Sequence, residues 1–134
     1  MKLLKIIFFI ILTSSNLFAN NDYFNEGLVF YEKNDLDKAK FKFEQDLVFN
    51  PKNEISYLYL SKIFNAQKKK DLEEQNLNTV ILLNPKNEEA VYNLAKLKLD
   101  MSDYNESRKL TDQLLVFCKN YCEKSKKLKI EIEN

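Results

Sequence analysis

A five-residue stretch used twice constrains this chain more than any other feature. Asn50-Pro51-Lys52-Asn53-Glu54 returns as Asn84-Pro85-Lys86-Asn87-Glu88, and the two copies hold the only two prolines present. Each copy follows an apolar run, Leu47-Val48-Phe49 or Val80-Ile81-Leu82-Leu83, and each precedes a new helical pattern. Proline cannot continue the hydrogen-bond ladder behind it, and it moves the preceding Asn50 or Asn84 out of the α region. Asn53 and Asn87 are then candidate caps for the next helix. Glu54 and Glu88 fall in its first turn, where the helix dipole favours an acid. A helix stop, a turn and a helix start that recur at the interval from Pro51 to Pro85 mark a stacked helical array.

The rest of the chain agrees. With one glycine and two prolines in 134 residues, there is too little turn chemistry for an all-β fold. Apolar spacing of three and four residues predicts seven helices. They span about Asp22–Lys33, Leu36–Phe49, Glu54–Gln67, Asp71–Leu83 and Glu88–Asp100. A sixth is capped by Ser102-Asp103 and carries Tyr104, Leu110, Leu114, Leu115 and Phe117, and a last, highly charged one spans about Tyr121–Ile132. Asp22 is a candidate cap for the first, and Lys68-Lys69-Lys70 reads as a solvated turn.

The period and the residues on it resemble the tetratricopeptide repeat family. In the first unit Tyr23, Gly27 and Phe30 match the first helix, Asn34-Asp35-Leu36 the turn, Ala39 and Phe43 the second helix, and Pro51 the end. Glu26 and Asp46 depart from the pattern, Asp46 where a small residue is expected. In the second unit Tyr57, Leu60, Ser61, Phe64, Leu77 and Pro85 match, and Glu73 replaces an Ala. In the third Val91, Leu94, Ala95 and Ser102-Asp103-Tyr104 match, with Ser107 and Leu114 at small or apolar positions. Lys98 and Thr111 replace aromatics there, and Lys119 the closing Pro. The resemblance implies an all-α, right-handed solenoid of three helix-turn-helix repeats (about 20–53, 54–87 and 88–120) and a carboxyl-terminal capping helix over 121–134.

It also implies a scaffold that binds a protein or peptide on a concave face lined by the first helix of each pair. That face receives Phe24, Asn25, Leu28 and Tyr31 from the first unit, and Leu58, Tyr59, Lys62 and Asn65 from the second. The third supplies Tyr92, Asn93, Lys96 and Leu99. Aromatics among Asn and Lys suit an extended peptide or a helix, because Asn pairs with backbone amides and rings supply apolar area. Lys62 and Lys96 would favour an acidic ligand. Alternatively, Phe24, Leu58 and Leu99 are interhelical core, and Lys62 and Lys96 are solvated. The basic clamp with which some members grip a terminal carboxylate is not expected, because Phe24 and Leu58 stand at gripping positions. A structural or self-assembling repeat module is the alternative function.

Other chemistry finds little support. The chain has no His, and no phosphate-cradling loop or nucleophile elbow is visible, so neither catalysis, a cofactor nor a metal is expected. The adjacent acids Glu73-Glu74 and Glu88-Glu89 point apart on a helix and read as solvated faces. Basic and acidic residues balance at 21 and 20, which is not the signature of a nucleic-acid binder.

Residues 1–19 read as a secretory leader: Lys2 and Lys5, the apolar run Ile6 to Leu12, then Leu17-Phe18-Ala19 before a cut. Removing them takes two of the 21 bases and none of the 20 acids, which leaves −1. A periplasmic or secreted location follows. The alternative is an uncleaved membrane anchor over residues 6–18, the one route by which a membrane would be touched. Cys118 and Cys122 are the only cysteines, and export makes a disulfide a candidate. An unbroken helix would set them poorly for it, whereas a break near Lys119-Asn120 allows it. The other reading is two reduced thiols.

Overall fold

In the computed structural model, which describes residues 22–134, seven helices follow one another. They are α1 (Tyr23–Glu32), α2 (Leu36–Phe49), α3 (Glu54–Ala66), α4 (Lys70–Leu83), α5 (Glu88–Asp100), α6 (Tyr104–Phe117) and α7 (Cys122–Glu133). The expected leader over 1–19 lies outside the described residues.

The helix starts are local chemistry. Side-chain oxygens of Asp22, Asp35, Asn53, Asn87 and Asp103 each accept a backbone N–H two or three residues on. α4 has no such cap. It begins one residue before the expected Asp71, behind Lys69, whose side chain has no oxygen to offer.

The turn inside each pair is the same device three times. Asn34, Lys68 and Ser102, equivalent positions of the three hairpins, take left-handed φ values of 58°, 57° and 62°. In each, two backbone bonds close the helix end, such as Asn34 N to Tyr31 O and Asp35 N to Phe30 O, both at 2.9 Å. This is the Schellman pattern, which satisfies carbonyls the helix leaves open.

The turns between pairs follow Pro51 and Pro85, with Asn53 N donating to Asn50 O and Asn87 N to Asn84 O. The third such turn has Lys119 in place of proline, and a different constraint takes over. The chain leaves the helix between Phe117 and Cys122, and Cys118 and Cys122 are joined by a disulfide with Cα atoms 5.3 Å apart. Glu88, at the start of α5, holds this loop. Its carboxylate accepts from the backbone N–H groups of Lys119, Asn120 and Tyr121 at 2.8–2.9 Å. Glu54 does the equivalent one pair earlier, accepting from Asn84 Nδ2 at 3.0 Å.

The Lys119 N–H above all, opposed by partial desolvation, keeps the Glu88 carboxyl below its ordinary value. A folded value below the unfolded one makes this contribution present above the unfolded pKa and lost as pH falls through the folded one. Glu88→Gln should therefore lower the unfolding temperature at neutral pH and make its decline into the acid range shallower. Parallel curves for the two proteins would remove Glu88 from this role.

Helices α1 and α2, α3 and α4, and α5 and α6 pair as hairpins, and α7 closes the last pair. One buried cluster joins Ala39 and Phe43 of α2 to Leu60, Ile63 and Phe64 of α3. The other runs from Leu58 through Leu77, Val80, Val91, Leu94, Leu110 and Leu114 to Leu128 and Ile132 of α7. α3 thus feeds both cores, and Leu128 and Ile132 cover apolar surface that the last pair would otherwise expose. The architecture is an all-α solenoid of three hairpins and a cap. Among the described residues no helix is long and apolar enough to cross a membrane.

Candidate functional site

The first helix of each pair faces a common groove of about 530 Å³. Tyr31 enters from α1; Ser61, Lys62, Asn65 and Ala66 from α3; Glu89, Asn93, Lys96, Leu97 and Asp100 from α5. One residue, Glu73, comes from an outer helix, α4. Small side chains at Ser61 and Ala66 leave room between α3 and α5. The Ser61 hydroxyl is occupied internally, donating to Leu58 O at 2.7 Å.

Of the residues expected on the concave face, Tyr31, Lys62, Asn65, Asn93 and Lys96 meet in this groove. Leu58 does not. It is 5 % exposed and belongs to the core, which corrects its placement on the surface. Phe24, Leu28 and Tyr59 lie half-buried against the first core. Tyr59 stacks on Phe43 at 5.1 Å and meets Tyr31 and Phe24 edge-on at 5.0 and 6.3 Å, so its ring is packed on three sides. Tyr92 packs on Tyr121 at 5.4 Å, and Leu99 against the second core. Asn25 is exposed and its amide binds the Asp22 carboxylate, one turn back.

The groove's charges are organised. Lys62 bonds Glu89 at 2.8 Å and lies 4.8 Å over the Tyr59 ring, so it is neither free nor simply solvated. Burial works against its ammonium, but Glu89, joined by Tyr59 and Tyr31, outweighs that and raises the pKa. Lys96 is exposed. Asn65 Nδ2 donates to Glu73 Oε1 at 3.0 Å. Burial, opposed by that hydrogen bond and helped by the charge of Asp100, lifts the Glu73 carboxyl above the ordinary carboxylate value.

The four adjacent acids are not solvated faces. Glu73 is buried, Glu74 pairs with Lys98 at 2.6 Å, Glu88 holds the disulfide loop and Glu89 holds Lys62. Neighbours in a helix diverge by about 100°, so each finds its own partner across a different interface. The one visible sign was Glu73 itself, a carboxylate where the repeat carries Ala. Among the described residues no group of three or more Cys, Asp or Glu is placed to hold a metal ion.

No protein-family model and no curated protein sequence matches the chain. Solved structures do. The TPR2B domain of yeast Sti1, in a pHsp70 complex, superposes with a TM-score of 0.77 at 13 % identity, over 84 % of this chain and 94 % of that one. The type III secretion chaperone SycD of Yersinia enterocolitica, in complex with a peptide of the translocator YopD, gives 0.76 at 14 %, over 83 % and 89 %. The first TPR of Spaghetti, bound to an HSP90 peptide, gives 0.75 at 16 %, over 83 % and 87 %. At these identities the likeness shows the fold, which is that of tetratricopeptide repeats.

Proposed function

From the tetratricopeptide-repeat fold we infer an interaction module that holds an extended segment of a partner protein in the concave groove. The observation that carries this reading is the groove itself, about 530 Å³ and lined from all three hairpins by Tyr31 and mostly polar side chains. That volume suits several peptide side chains. Asn65 and Asn93 both line it with amide groups suited to a peptide backbone, and Tyr31 offers a rigid apolar wall. The peptide complexes formed by proteins of this fold support a peptide-binding role. Because Lys62 is already neutralised by Glu89, an acidic ligand gains little from it.

Export is part of the reading, with a periplasmic or secreted location. The leader pattern over 1–19 and the Cys118–Cys122 bond, which persists best in an oxidising compartment, support it.

Asn93→Trp would fill the groove from α5 without entering the core. Peptides selected from a displayed library of random linear sequences against the purified protein should lose binding to Asn93→Trp. Its helical circular-dichroism signal and unfolding temperature should hold. Peptides that bind the variant equally well would overturn the reading.

A second reading, a module that stacks with a copy of itself, draws on Val48, Leu82 and Val116. They occupy one equivalent position in the three hairpins and are 75 %, 81 % and 87 % exposed. Sedimentation of the pure protein at rising concentration separates the two, and a monomer throughout ends the second.

A further inference from the structure

Three positions one repeat apart, Ala39, Glu73 and Ser107, sit where the two helices of a hairpin close on each other. Ala39 and Ser107 are small and wholly buried. Glu73 is also buried, 5 % exposed, but its side chain is too long for that contact and lines the groove between α3 and α5. Among the described residues its carboxylate takes one hydrogen bond, from Asn65 Nδ2 to Oε1, and no ion pair. Asp100, on the same groove, has no ion pair either.

The contrast with neighbouring acids is informative. Glu89 is matched by Lys62 and Glu74 by Lys98. Lys70 and Lys96 act on Glu73 through space, but neither comes within ion-pair distance of it. Lys70 Nζ donates to the Asp100 backbone oxygen at 2.9 Å, and Lys96 is exposed. Desolvating a carboxylate with no cation in contact is unfavourable, and one delivered from outside offsets that.

We propose that the partner segment is anchored by a lysine or arginine side chain whose cationic head seats between Glu73 and Asp100 in the groove. This rests on the peptide-groove reading and names the chemistry of what the groove selects. Asn65 holds one Glu73 oxygen in place and leaves the other for the incoming N–H donors. An arginine fits best, since its planar fork can address two oxygens at once. Lys62, locked on Glu89, flanks the seat without competing for it.

The test uses peptides recovered from the displayed random library with the purified protein. Recovered binders should share a Lys or Arg at one fixed position. Replacing that residue by norleucine, or Glu73 by Gln, should each weaken binding about thirtyfold, as expected when one partner of a buried charge pair is removed. The two changes together should cost little more than either alone. Glu73→Ala restores the small residue of the other two hairpins, so it should fold at least as stably and still lose the binders. Binders with no fixed basic residue, or binders indifferent to Glu73→Gln and Glu73→Ala, overturn the cationic anchor. If Asn93→Trp still blocks those binders, the groove reading survives. Recovery of no binder, or of binders indifferent to Asn93→Trp as well, overturns both.

Discussion

Asp46→Ala should lower folding stability by about 3 kcal/mol, the upper part of the range for hydrogen bonds to a charged group. The residue stands where the repeat wants a small side chain, and it is 3 % exposed. Its carboxylate gathers donors from three places: Asn50 Nδ2 at 2.8 Å, Asn53 Nδ2 at 2.7 Å and Ser56 Oγ at 2.5 Å. The first two belong to the proline turn and the third to α3, so one side chain ties the first hairpin to the second. Without it the wholly buried Ser56 hydroxyl loses its acceptor, and the turn loses the group that sets both asparagines. Thermal unfolding should begin more than about ten degrees lower, given the usual shift per kcal/mol in a domain of this size. Asp46→Asn is no rescue, because it turns one acceptor oxygen into a donor facing donors. A loss well under about 1 kcal/mol would mean that the turn stands without this carboxylate.

Gly27→Leu should cost about 3 kcal/mol, at the top of the range for overpacking. A Cβ at Gly27 would lie 2.7 Å from Cε1 and 2.9 Å from Cδ1 of Phe43. That ring is wholly buried and held between Phe24 and Tyr59, with centroids at 5.9 and 5.1 Å, so it cannot swing away. The glycine is needed for the close approach of α1 to α2 rather than for backbone freedom. Shrinking the obstacle checks the cause: Gly27→Ala should cost less in a Phe43→Leu background than alone, as a double-mutant cycle reads directly. Unchanged unfolding of Gly27→Leu would mean that α1 and α2 do not meet at this register.

The groove was partly legible beforehand. Tyr31, Lys62, Asn65, Asn93 and Lys96 follow from the helical register once the repeat resemblance assigns the concave face to the first helices. Leu58 and Tyr59 show the limit of that projection. α3 packs on α2 along one face and on α4 along another, and its Lys62 reaches Glu89 of α5, so a narrow strip is left for the groove. One residue step turns a side chain by about 100°, enough to carry it from that strip into a core. Glu73 was out of reach for another reason. It belongs to an outer helix, and its place depends on how far α3 and α5 stand apart.

The sequence by itself determined the seven helices, most of their caps and the repeat period, because stop, turn and cap signals act within a few residues of themselves. Tertiary structure alone decided which charges are paired and which are left to the groove. Lys62 meets Glu89, Lys98 meets Glu74, and Glu88 meets the Cys118–Cys122 loop only after distant helices stack. An electrostatic partner is set by distance in space, and a local pattern carries no information about separations of 24 to 33 residues along the chain.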